Sequence, residues 1–164
     1  MMSNQSDSEK QLVIFRLQQE EFGIDIMQVR EIVPMMIISR LPNAPNHIEG
    51  VINLRGRVIP VMNLNERLGL SQFSESIQPK RIVVVEVDEA TIGLLVDDVP
   101  EILRIAKDKI ESSSEIIKKR KNAWYIQGVG KLDTRLIIIL DLSEILSLAD
   151  QNLVENASHG EAHE

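Results

Sequence analysis

A chain of 164 residues with 18 Lys and Arg against 25 Asp and Glu carries a net charge of −7, which argues against nonspecific attraction to nucleic acid or to an anionic membrane surface. It has no Cys, so disulfides, thiolate catalysis and thiolate metal sites are excluded together, and its longest apolar runs fall far short of the roughly 20 residues of a membrane span. The length suits one domain, or two small units sharing a core, because isolated units of about 60 residues are only marginally stable.

The opening MMSNQSDSEKQ has no apolar segment that could serve as a signal peptide, which predicts a cytoplasmic chain whose residues 1–11 are flexible. Leu12 to Leu17 is β-branched and apolar, the polar Gln18-Gln19-Glu20-Glu21 predicts a turn, and Phe22 to Val29 returns with partial alternation, a hairpin pattern. From Pro42 the chain reads PNAPNHIEGVINLRGRVIPVMNL. Pro and Asn fix turns there, and Leu54-Arg55-Gly56 sits at the tip of an apolar hairpin, holding one guanidinium at a defined surface point. Leu64 to Leu68 reads as a helical turn ended by Gly69. A second hairpin starts near Arg81, with a turn at Asp88-Glu89-Ala90-Thr91, and a further turn is placed around Ala106 to Glu111. Asp141 caps an apolar helical segment to Leu148, and residues 149–164 form a polar tail expected to fray.

Two offsets reveal a repeat. Shifting by 70 places Val13 to Val33 on Val83 to Leu103, with identities at Val13, Gly23, Val29, Glu31 and Ile32. Shifting by 78 places Ile48 to Leu68 on Ile126 to Leu146, where nine of 21 positions are identical, against roughly one or two expected from average usage. The fold class predicted is all-β: two packed five-stranded SH3-like barrels arising from an internal repeat, with short helical turns and a C-terminal helix. The first unit covers about residues 12–70, the second about 81–148, and together they form one domain over 12–148.

Catalytic constellations are sparse. His159 and His163 lie in the tail, and His47 follows Asn46 in a turn without the neighbours of a ligand set or triad. Asp97-Asp98 suggests Mg²⁺ or a phosphoacceptor, but Val99-Pro100 follows in place of a βα unit, so a solvated turn is the preferred reading. Gly128-Val129-Gly130-Lys131 lacks the glycine spacing of a phosphate loop, and the repeat explains Gly128 as the counterpart of Gly50. Lys118-Lys119-Arg120-Lys121 reads as a solvated loop, and the adjacent Ile116-Ile117 either folds back on the barrel or docks a partner. Trp124-Tyr125 is expected to pack beneath the second unit, and one Trp, one Tyr and three Phe leave little for base stacking. No cofactor is implied. Binding is the better class of function, its rival being a twin-barrel enzyme or ligand-binding protein built on Asp97, Asp98 and His47.

FRLQQEEFGIDIMQVREI, RLPNAPNHIEGVINLRGRVIPVMNL, TIGLLVDDVPEIL and IQGVGKLDTRLIIILDL closely resemble the CheW family of bacterial chemotaxis adaptors over about Gln11 to Leu148. The resemblance implies two packed five-stranded barrels and a scaffold without enzymatic activity. It implies a role coupling methyl-accepting chemoreceptor tips to the regulatory domain of the histidine kinase CheA. It further implies a chain that is monomeric when free and recruited to membrane-associated receptor arrays without touching the membrane itself. An adaptor of a related motility or signalling pathway is the alternative, and no receiver-type segment is expected after Leu148.

By the same resemblance, Val29, Glu31, Ile32, Arg55 and Gly56 fall on receptor-binding positions, and Ile116 and Ile117 on a kinase or ring contact. The receptor helices would lie in an apolar groove between the barrels. Val29, Glu31 and Ile32 recur as Val99, Glu101 and Ile102, which gives them a competing role in holding a barrel together. Asn53, Arg55 and Gly56 do not recur; Lys131, Asp133 and Thr134 stand in their places.

Overall fold

The computed structural model describes residues 8–70, 80–112 and 124–146. Strand β1 (Glu9–Leu17) starts three residues before the apolar run, because Glu9 to Gln11 pair with Arg104 to Ala106. β2 (Glu20–Asp25) follows a turn of only Gln18 and Gln19, tighter than the four-residue turn expected. Likewise β6 (Arg81–Val87) and β7 (Ala90–Val96) are joined by Asp88 and Glu89 alone, both left-handed at φ 49° and 69°. Two left-handed residues in succession give the turn whose twist matches that of the flanking strands. Ala90 and Thr91 are therefore buried strand residues and not turn residues.

After β2 the chain makes one 3-10 turn at Ile26–Gln28, capped by Asp25, and enters β3 (Val29–Pro34). β4 (Ile48–Leu54) and β5 (Arg57–Asn63) form the next hairpin, and α1 (Leu64–Arg67) follows. The second half repeats this order with β8 (Asp98–Ala106), the short β9 (Ile110–Ser112), β10 (Ile126–Leu132), β11 (Arg135–Leu140) and α2 (Leu142–Ile145). Both helices are capped alike. Asn63 Oδ1 accepts from Glu66 N at 3.3 Å, and its counterpart Asp141 Oδ1 accepts from Glu144 N at 3.2 Å. Gly69 ends α1 in the left-handed region at φ 71°, as its position predicts.

The two sheets differ from two matching sets of five. One has six strands in the order β8-β1-β2-β11-β10-β9, and the other has five in the order β3-β6-β7-β5-β4. Each sheet takes its first hairpin from the opposite repeat: β1–β2 joins the second half, and β6–β7 inserts between β3 and β5. The exchange is reciprocal to the residue. Val13 pairs with Ile102 as Val83 pairs with Ile32, and Gly23 lies beside Ile139 as Gly93 lies beside Val61. Contiguous halves of the sequence are thus not the two barrels.

Each sheet curls until its edges approach, and the segment leaving β3 or β8 closes the seam. Ser39 makes a two-bonded bridge with Val51, both N···O distances 2.8 Å. In the equivalent place Glu111 of β9 pairs with Val129, and the longer second connection extends this bridge into the short strand β9, which has no counterpart strand in the first repeat. Close approach here demands glycine. A Cβ on Gly50 would lie 2.1 Å from the Ser39 carbonyl oxygen, and one on Gly128 2.6 Å from that of Glu111. The repeated Gly50 and Gly128 are seam residues.

The largest core cluster lies between the sheets and takes side chains from both, among them Phe15, Phe22, Met62, Val83, Leu94 and Leu140. Phe15 and Phe22 stack with centroids 6.0 Å apart. Smaller clusters fill the barrels, with Ile52, Ile59, Val61 and Val84 in the five-stranded one and Leu12, Ile14, Ile105 and Ile137 in the six-stranded one. Tyr125 packs against the shared core, but Trp124 does not go beneath the second unit. It is 42% exposed, and Arg67 of α1 reaches across from the first repeat to place its guanidinium 4.9 Å above the indole.

Candidate functional site

β3 is an edge strand, and the register puts Val29 opposite Val85, Glu31 opposite Val84 and Ile32 opposite Val83, with a bulge between Val29 and Glu31. Val29 and Ile32 are partly buried against the inter-sheet core, so both have a packing role as well as an accessible part. At the other edge of the same sheet, β4 and β5 are joined by Arg55 and Gly56, left-handed at φ 52° and 84°. Space around Gly56 is open, with nothing within 4 Å of an added Cβ, so glycine is required there by backbone conformation alone. Asn53 Oδ1 accepts from Gly56 N at 2.9 Å across this turn.

Curling of the sheet brings its two edges together, and Arg55 Nη2 donates to Glu31 Oε2 over the seam. The Arg55 side chain is 70% exposed and that of Glu31 31%. Glu31 is thereby engaged by its own chain, while most of the Arg55 side chain remains presented to solvent. Val29, Glu31, Ile32, Arg55 and Gly56 lie along one seam of one barrel. Next to Glu31, Arg30 Nη1 donates to Glu86 Oε1 at 2.5 Å.

The second repeat neutralises its equivalent acid differently. Glu101 accepts from Arg135 Nη2 at 2.7 Å, and Arg135 also holds both carboxylate oxygens of Glu21, at 3.0 and 2.9 Å. These hydrogen bonds, first to Glu21 and then to Glu101, push the Arg135 pKa further above its ordinary value. Arg57, the first-repeat counterpart of Arg135, makes one long contact of 3.4 Å to Thr91 Oγ1. Glu101 is served by a strand residue and Glu31 by a turn residue.

The Asp97-Asp98 pair is not a solvated turn. Asp97 is 6% exposed, accepts Gln18 N at 2.6 Å and Asn65 Nδ2 at 3.3 Å, and donates its own N–H to the Arg16 carbonyl at 3.0 Å. It fastens the β1–β2 turn to α1, because a left-handed Gln18 leaves an amide that no strand partner satisfies. Asp98 pairs with Arg16 at 3.2 Å. His47 lies in the turn before β4, its carbonyl accepting from Asn63 N at 2.7 Å. Gly128 to Lys131 is strand, and Lys131 Nζ donates to Glu111 at 2.5 Å. Among the described residues no group of His, Cys, Asp or Glu could hold a metal ion. Ile116, Ile117 and the basic run at Lys118 to Lys121 lie outside the described residues.

Three exposed apolar side chains carry no signal that spacing could have revealed: Met27 at 87%, Met35 at 45% and Ile37 at 91%. Met27 occupies the repeat position of the buried Asp97, so at this position one copy has a latched turn and the other a capped one.

A family model described as a CheW-like domain matches residues 11–150. The chain is 30% identical to the chemotaxis protein CheW of Treponema pallidum (strain Nichols), covering 92% of this chain and 90% of that protein. It is 35% identical to the probable chemotaxis protein CheW of Rhizobium etli, over 88% and 90% of the two. Among solved structures, the scaffolding protein TtCheW from Thermoanaerobacter tengcongensis superposes with a TM-score of 0.77 at 34% identity, covering 86% of this chain and 94% of that one.

Proposed function

The chain belongs to the CheW family of chemotaxis scaffolds, and from that premise we propose that it joins the cytoplasmic tips of chemoreceptors to the regulatory domain of the histidine kinase CheA without catalysing a reaction. The observation that carries this reading is the seam of the five-stranded barrel, where Arg55 is held on an exposed turn against Glu31 beside the half-buried Val29 and Ile32. An arginine kept out of the core, fixed at one point and flanked by accessible apolar surface has the make-up of a contact that orients a helix.

The receptor surface comprises Val29, Glu31, Ile32, Arg55 and Gly56. Ile116 and Ile117 form the kinase or ring contact, and the free protein is a monomer. No described helix is long and apolar enough to cross a membrane. Residence in the cytoplasm, with recruitment to receptor arrays through bound partners, fits this reading.

The deciding experiment is binding of the purified chain to purified CheA, with and without a receptor tip. Capture of the kinase, and of the tip in the same complex, is the expected result. Failure to bind the kinase, together with a melting temperature that shifts with a small molecule or metal ion, would replace the scaffold by the ligand-binding rival.

A further inference from the structure

We propose that Asn53 is a positioning residue for Arg55: its side chain locks the β4–β5 turn in the one conformation that sets the guanidinium against Glu31. The functional importance of that guanidinium rests on the reading above; the lock itself does not.

Three observations converge on it. Asn53 sits near the end of β4 opposite Val58, and it is exposed, so its side chain has no core to fill. Its Oδ1 nevertheless takes the Gly56 N–H at 2.9 Å, an amide inside the turn that neither strand can use. Arg55 is held left-handed at φ 52°, as Asp133 is at φ 49° in the second repeat, but Arg lacks the short polar side chain with which Asp supports that conformation locally.

The second repeat supplies the control. There the equivalent acid, Glu101, is reached by Arg135 from within β11, where strand pairing already fixes the backbone. Lys131, at the position of Asn53, turns to Glu111 instead. Where the arginine comes from a strand the turn carries no lock of this kind; where it comes from the turn, an Asn side chain provides one.

The test uses the full chain as Asn53→Ala, Asn53→Asp, Arg55→Ala and Glu31→Gln, read by hydrogen exchange at the Gly56 amide, by the NMR signal of Arg55 Nε–H and by receptor-tip capture. Asn53→Ala should speed Gly56 exchange about five- to ten-fold and move the Arg55 signal toward that of Glu31→Gln. Asn53→Asp keeps the acceptor and should restore both. Unchanged exchange and an unchanged Arg55 signal in Asn53→Ala would overturn the lock. Tip capture that survives Arg55→Ala would instead overturn the role given to Arg55 and leave the lock standing, whereas capture lost in Arg55→Ala but intact in Asn53→Ala would show that the lock does not serve binding.

Discussion

Glu31 and Arg55 stand 24 residues apart and on opposite edges of the same sheet, yet they form an ion pair across the barrel seam. The pair is exposed, so its Coulomb energy is screened and the two side chains lose entropy on meeting.

Removing either partner should therefore cost little stability. Arg55→Ala, Glu31→Gln and the double variant are expected to lie within about 1 kcal/mol of the parent in urea unfolding, with a coupling energy that shrinks as salt is raised. A coupling above about 2 kcal/mol would mark the pair as a structural element of the barrel.

The two kinds of glycine should separate cleanly. Gly50→Ala and Gly128→Ala drive a methyl into a carbonyl oxygen of the closing segment, and each should cost roughly 3–5 kcal/mol in thermal or chemical unfolding. Gly56→Ala meets no atom and carries only the left-handed strain of about 1 kcal/mol. Equal losses at the three positions would refute the seam as the reason for Gly50 and Gly128.

Asp97 and Asp98 are adjacent and should behave oppositely. Asp97→Ala strands the part-buried Gln18 amide and the buried Asn65 side-chain amide, for an expected loss of roughly 2–4 kcal/mol. Asp98→Ala removes a surface ion pair and should change stability by about 0.5 kcal/mol. Denaturant midpoints of the two variants decide it.

The exchanged hairpins predict that the halves cannot be parted by cutting the chain. With a protease site introduced between positions 71 and 80, cleavage should leave both fragments in one peak on gel filtration, and they should separate only in denaturant. Spontaneous separation in buffer would contradict the reciprocal pairing of β6 with β3 and of β1 with β8.

The repeat, the all-β class and the capped helical turns were legible because they are written in local pattern: alternation, Gly and Pro placement, and identities at two fixed offsets. The hairpin exchange was not, since Val13 and Val83 present the same inward apolar face whichever copy they join. The turns shrank from four residues to two because Ala90 and Thr91 look polar or small beside Asp88 and Glu89, while their burial is decided by neighbours distant in sequence. Asp97 was misjudged for the same reason: a carboxylate reads as solvated until the amides that need it are in place. Within the site, Arg55 and Glu31 stood out singly, one as an interruption of the repeat and the other as part of it. Their meeting depends on how far the sheet curls, which no spacing encodes.

Because each barrel contains two strands of the other repeat and the largest core cluster is common to both, swinging one barrel against the other would break strand pairing and core packing together. Partners seated on different barrels would be kept at a constant spacing. A scaffold made this way would act as a ruler, holding whatever binds its two barrels at a fixed gauge.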